Sequence, residues 1–132
     1  MTICQKLFVE YNANPVARRT SDCVIRAISL LTGKTWDETY IEIFNWGFMI
    51  KDMPSVNNLW GLYLRSIGFE RRSLPDTCPD CYTVRDFCQD FPFGKYMLAT
   101  GTHVVAVIDG NYYDTWDSGL EVPIYYWKKK EN

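Results

Sequence analysis

The chain has a single histidine, His103. Any imidazole acid–base chemistry must run through that one side chain. There is no apolar run approaching the roughly 20 residues that a membrane-spanning helix needs. Met1 to Glu10 carries no basic segment followed by an apolar stretch, so no secretory signal is expected. A soluble, cytoplasmic protein with no membrane partner is the expectation. Basic runs are missing apart from Lys128-Lys129-Lys130, read as a solvated C-terminal end, and the formal net charge is −2. Nucleic-acid binding is therefore not indicated. Repeats, linkers and low-complexity segments are also missing.

Cysteine is present but in an odd number, five. An odd count argues against a complete intramolecular disulfide framework, and in a reducing cytosol all five would be thiols. Cys78-Pro79-Asp80-Cys81, with Cys88 beyond it, is half of a zinc site. No second pair with matching spacing exists, so neither metal nor other cofactor is expected. A surface loop carrying thiols is the simpler reading of that segment.

What is there is hydrophobic and aromatic. Of 132 residues, 47% are hydrophobic and 16% aromatic, enough for one globular domain spanning 1–132 with a sizeable core. Thr20-Ser21-Asp22-Cys23 reads as a helix start, with Ser21 and Asp22 as N-cap residues. Val24, Ala27, Ile28 and Leu31 continue an apolar face, and Gly33 should end the helix. Thr35 and Glu38 form a capping box for a second helix, followed by a connector from Phe48 to Pro54. Ser55 or Asn57 starts a third helix, stopped by Gly68. Phe69 to Leu74 fits an edge strand, and Thr83 opens a short helix ending near Asp90. Trp36, Tyr40, Phe44 and Trp60 sit at helical spacings and read as core.

After Gly94 the pattern changes to strands. Tyr96–Thr100, Thr102–Ile108, Asn111–Trp116 and Val122–Trp127 are candidates, and Asp109-Gly110 is a strong hairpin turn. Leu7–Tyr11 is an additional short strand or extended arm. Helices followed by an antiparallel sheet make an α+β plan.

Cys23 in the first turn of a helix lies in the positive end of the helix dipole, which favours thiolate. A thiol nucleophile needs a base, and the base needs an orienting group. A two-residue turn at Asp109-Gly110 sets Val107 opposite Tyr112 and Val105 opposite Asp114. Asp114 then neighbours His103 diagonally on one face. Asp117 is the second choice, reachable if a bulge shifts the register. Arg26, one turn after Cys23, either raises thiolate character or pairs with Asp22 or a carboxylate of the next helix; the structural role is preferred.

Ser21-Asp22-Cys23, then Gly101-Thr102-His103-Val104-Val105, then Asp114-Thr115-Trp116 resembles a compact papain-like cysteine peptidase. The order Cys, His, Asp is that of the superfamily. The third position as Asp is similar to bacteriocin-processing peptidase domains, and Asp-Cys-Val-Ile-Arg-Ala to small proteins carried by bacteria and their phages. The resemblance implies a papain-like domain with Cys23 as nucleophile, His103 as base and acid, Asp114 as orienter, and Trp116 as shield of the His–Asp bond and wall of the cleft. It implies a cysteine-dependent hydrolase acting on a peptide or protein. The same apparatus serves amidases, deamidases, transglutaminases and isopeptidases. The family places a glutamine six residues before the nucleophile as oxyanion donor, and Ala17 stands there. The Cys23 backbone N–H would supply one donor and the Asn14 side chain a second, although Asn12 and Asn14 could equally serve their own turn. A catalytically silent binding module is the competing reading.

Overall fold

The computed structural model describes residues 7–54 and 56–130. Ten elements follow in chain order: β1 (Phe8–Glu10), α1 (Cys23–Thr32), α2 (Trp36–Ile50), α3 (Asn57–Ser66), β2 (Phe69–Ser73), α4 (Val84–Asp90), β3 (Lys95–Ala99), β4 (Val104–Ile108), β5 (Asn111–Asp114) and β6 (Tyr125–Lys129). The six strands form one mixed sheet in the order β1-β5-β4-β3-β6-β2. The described residues thus form an α+β structure, with four helices on a six-stranded sheet.

Strand alternation sends side chains to two separate cores. Met97, Ala99, Val104 and Ala106 face α1, α2 and α3, where they meet Ile28, Leu31, Ile43, Trp60 and Leu64. Tyr96, Leu98, Val105 and Val107 face the other way, against Val84, Phe87 and Cys88 of α4 and Tyr112 of β5. β3 and β4 are buried on both sides, which is why their sequences read as apolar runs rather than alternating ones.

Helix ends obey local chemistry. Gly33 adopts φ 73° and donates to the Ser29 carbonyl, closing α1. Thr35 and Glu38 make both bonds of the capping box at α2, and Thr83 and Asp86 do the same at α4. α2 continues past Phe48 to Ile50, because Lys51 is the residue that turns left-handed and donates to Gly47. The connector is therefore shorter than expected. α3 starts at Asn57, while Ser55 lies outside the described residues.

Three further expectations are corrected. The sheet is not wholly antiparallel, since β1 joins β5 in parallel at one edge. Lys128 and Lys129 are strand residues of β6, paired with Glu70 and Phe69, so they are not part of a free end. Cys78 and Cys81 are joined in a disulfide, not two thiols. β2 is the edge strand foreseen, beside β6. No helix among the described residues is long and apolar enough to cross a membrane.

Candidate active site

Asp22 occupies the N-cap of α1 but makes no side-chain cap bond. Its carboxylate is drawn elsewhere: Oδ1 accepts from Arg26 Nε at 2.8 Å and Oδ2 from Trp36 Nε1 at 2.9 Å. Cys23 follows at the first helical position, where backbone N–H groups lack intrahelical acceptors. Its thiol is partly buried.

His103 is the last loop residue ahead of β4, not the first residue of the strand. Thr100 fixes it there. Its Oγ1 accepts from the His103 N–H at 3.0 Å, and its N–H donates to the His103 carbonyl at 2.8 Å. The imidazole Nε2 meets Asp114 Oδ2 at 2.6 Å. Nδ1 is the ring's remaining nitrogen, and the Cys23 thiol lies close enough for thiol and imidazole to shift each other's titration.

The hairpin register is the one the Asp109-Gly110 turn demands, with Ile108 opposite Asn111 and Val107 opposite Tyr112. Asp114, only 1% exposed, ends β5. Besides His103 it accepts from Arg26 Nη1 at 2.9 Å, Ser118 Oγ at 2.7 Å and the Thr115 N–H at 2.8 Å. Four donors on one buried carboxylate keep it ionised and immobile. Asp117 is not the orienter. It accepts from the Tyr112 hydroxyl and the Gly119 N–H.

The electrostatics match this geometry. Burial pushes the Cys23 thiol up, but the hydrogen bonds from His103 and the Val104 N–H, with the charges of His103 and Arg26, outweigh it and hold the thiol below its ordinary value. Burial pulls His103 down, yet its bonds to Asp114 and Cys23 lift it to about 9. Burial raises Asp114, and His103, Ser118 and Arg26 together bring it below the usual carboxylate range. Near neutral pH the pair is drawn toward thiolate and imidazolium. Cys88 contrasts sharply, since burial in α4 lifts its thiol to about 12.

Cys23 and His103 open into a cleft of about 680 Å³. Trp36, Tyr40 and Phe44 of α2 stack along one wall, with ring centroids 5.0 and 4.2 Å apart. Tyr40 and Phe44 are thus exposed cleft residues rather than core, whereas Trp60 is core. Trp116 lies 5.1 Å from the His103 ring and covers it, but does not line the cleft. Its expected part as a cleft wall is corrected.

Asn14 lines the cleft and also serves its turn: its Oδ1 accepts from the Val16 N–H at 3.0 Å. Its Nδ2 is the remaining side-chain donor. Ala17 adopts φ 56° and is exposed outside the cleft. The structure adds Thr100, Ser118 and the Arg26 link to Asp114, none of which was singled out from sequence for these roles. Only the i,i+4 spacing of Asp22 and Arg26 gave a hint. Among the described residues no cluster of three or more His, Cys, Asp or Glu is placed to hold a metal ion.

No protein-family model matches the chain, and no curated protein or solved structure shows significant similarity to it.

Proposed function

We propose that the protein is a cysteine-dependent hydrolase of the papain-like plan, acting on a peptide or protein. One observation carries this reading: a thiol at a helix N-terminus and an imidazole held through Nε2 by a buried carboxylate line the same open cleft. In the proposed reaction the Cys23 thiolate attacks the carbonyl carbon and the electron pair moves onto the oxygen. The Cys23 N–H and Asn14 Nδ2 receive that oxyanion. Imidazolium His103 gives its proton to the leaving amine as the C–N bond breaks, leaving a thioester. Neutral His103 then takes a proton from water, whose oxygen displaces Cys23 and releases the acid.

Iodoacetamide labelling tests the reactive thiol. Cys23 should alkylate far faster than Cys88, with a rate that rises at a pH below the ~8.5 of free cysteine. Equal, slow labelling of both would sink the proposal. Loss of any side chain at position 17 that could receive an oxyanion favours a second reading, a silent binding module of the same fold. Fast Cys23 alkylation without acyl-enzyme formation on any peptide would select that one.

A further inference from the structure

A second recess lies between α3 and the β6–β2 edge of the sheet, with a volume of about 560 Å³. Gly61 lines it and lets the Trp127 ring pack close to α3, since a Cβ there would meet Trp127 Cζ2 at 3.2 Å. Arg65 reaches in from α3 and Arg71 from β2. The Arg65 guanidinium sits 5.4 Å from the Trp127 ring, and that of Arg71 sits 4.1 Å from the Tyr125 ring. A guanidinium held over an aromatic face is pre-positioned, and its N–H edges remain available to a planar oxyanion.

Neither arginine has an acidic partner among the described residues. The nearest candidate in sequence, Glu70, is taken by Arg72 at 2.8 Å. Two unneutralised cations therefore share one recess in a chain whose net charge is −2. The recess also adjoins the Cys23 cleft. Asn57 and Tyr125 line both, and Asn57 Nδ2 donates to the Tyr125 hydroxyl at 3.4 Å across the boundary. A chain lying in the cleft can continue past these two residues onto the arginines.

We propose that this recess is a subsite for an acidic side chain of the substrate, so that the protein selects peptides carrying Asp or Glu at a fixed distance from the bond at Cys23. The inference rests on the peptidase reading for the word substrate. The bound group is a carboxylate, received by Arg65 and Arg71, with the Asn57 and Asn58 amides at the rim.

The test uses the full-length Cys23→Ala protein, which binds without turnover, and a library of randomised dodecapeptides. Peptides retained at about 0.15 M salt, where long-range attraction between exposed charges is largely screened, are sequenced. Asp and Glu should be enriched at one position. The R65Q/R71Q double variant should lose that enrichment and bind a selected peptide about ten- to a hundredfold more weakly. The charge-reversed R65E/R71E variant should enrich Lys and Arg at the same position, which a misfolded protein would not do. No retained peptides, no acidic enrichment, or enrichment that survives R65Q/R71Q would each overturn the subsite. So would tighter binding of oligo-dT than of the acidic peptide. Iodoacetamide rates at Cys23 in the wild-type protein separate the two ideas. A fast thiol without acidic selection removes the subsite and leaves the hydrolase. Acidic selection with a slow thiol leaves a carboxylate-binding recess and removes its role in a peptidase.

Discussion

Arg26 and Asp114 meet at 2.9 Å in the interior, and the same carboxylate holds His103. Arg26 also holds Asp22, so one guanidinium ties the cap of α1 to the end of β5. Cys23, next to Asp22, and His103 are thereby anchored to one ion network. Arg26→Met would leave two buried carboxylates without their cation. Its expected cost is about 3–5 kcal/mol, read as a lower urea midpoint with unchanged m-value. A loss under about 1 kcal/mol, the range of an exposed ion pair, would show that the network is not what joins these elements.

Asp114→Asn keeps the shape and removes the charge that helps raise His103. In the wild-type protein imidazolium should persist until about pH 9. In the variant the alkaline limb of turnover, where His103 must still hold the proton it gives the leaving amine, should move down toward the ordinary histidine value of 6.5. Turnover should fall by about 10²–10⁴. An unmoved alkaline limb would remove Asp114 from the orienting role.

Asn14→Asp separates the two duties of Asn14. The carboxylate can still accept from the Val16 N–H, but the Nδ2 donor is gone. If that donor receives the oxyanion, kcat should drop about 10²–10³-fold with thermal stability nearly unchanged. Full activity in this variant would transfer the role to another group. Thr100→Val tests positioning instead. It removes the hydroxyl that holds the His103 N–H, so kcat should fall while KM stays, and Thr100→Ser should restore it.

The thiol and imidazole also make a prediction about stability and pH. His103 is raised by folding, so by itself it stabilises fully below 6.5 and loses that contribution as pH rises through about 9. Cys23 is lowered, so by itself it adds stability as pH rises toward its ordinary 9.0. Where thiolate and imidazolium coexist in the folded protein, the two slopes oppose each other. Cys23→Ala should expose the histidine slope. Its stability should then fall more steeply than that of the wild type as pH rises above 6.5, by up to about 1.4 kcal/mol per pH unit, and level off below pH 9 because Cys23 is itself one of the groups that raise His103. Parallel urea midpoints for the two proteins would refute the pairing.

Local signals in the sequence carried furthest. Gly33, the capping boxes at Thr35 and Thr83, and the Asp109-Gly110 turn each act over a few residues, and each is where the sequence puts it. The turn fixed the pairing from Ile108–Asn111 to Ala106–Tyr113, and Asp114 meets His103 just beyond it. Contacts that depend on how elements dock were not legible. Nothing near Arg26 in the chain points to Asp114, and nothing near Phe8 says it will pair in parallel with Tyr112. Tyr40 and Phe44 fitted a core stripe at helical spacing, but that face of α2 borders the cleft and stays exposed.

His103 and Asp114 are only 11 residues apart along the chain, whereas Arg26 and Asp114 are 88 apart. A hairpin of this kind closes within about 1–10 μs, long before the loop that brings α1 to β4 can be fixed. His103 and Asp114 can therefore come together while Cys23 is still far away. On the proposed reading, Cys23 should become reactive only when α1 docks beside β4, and an incompletely folded chain should carry an ordinary thiol. Iodoacetamide pulses during refolding should label Cys23 rapidly in the final phase alone.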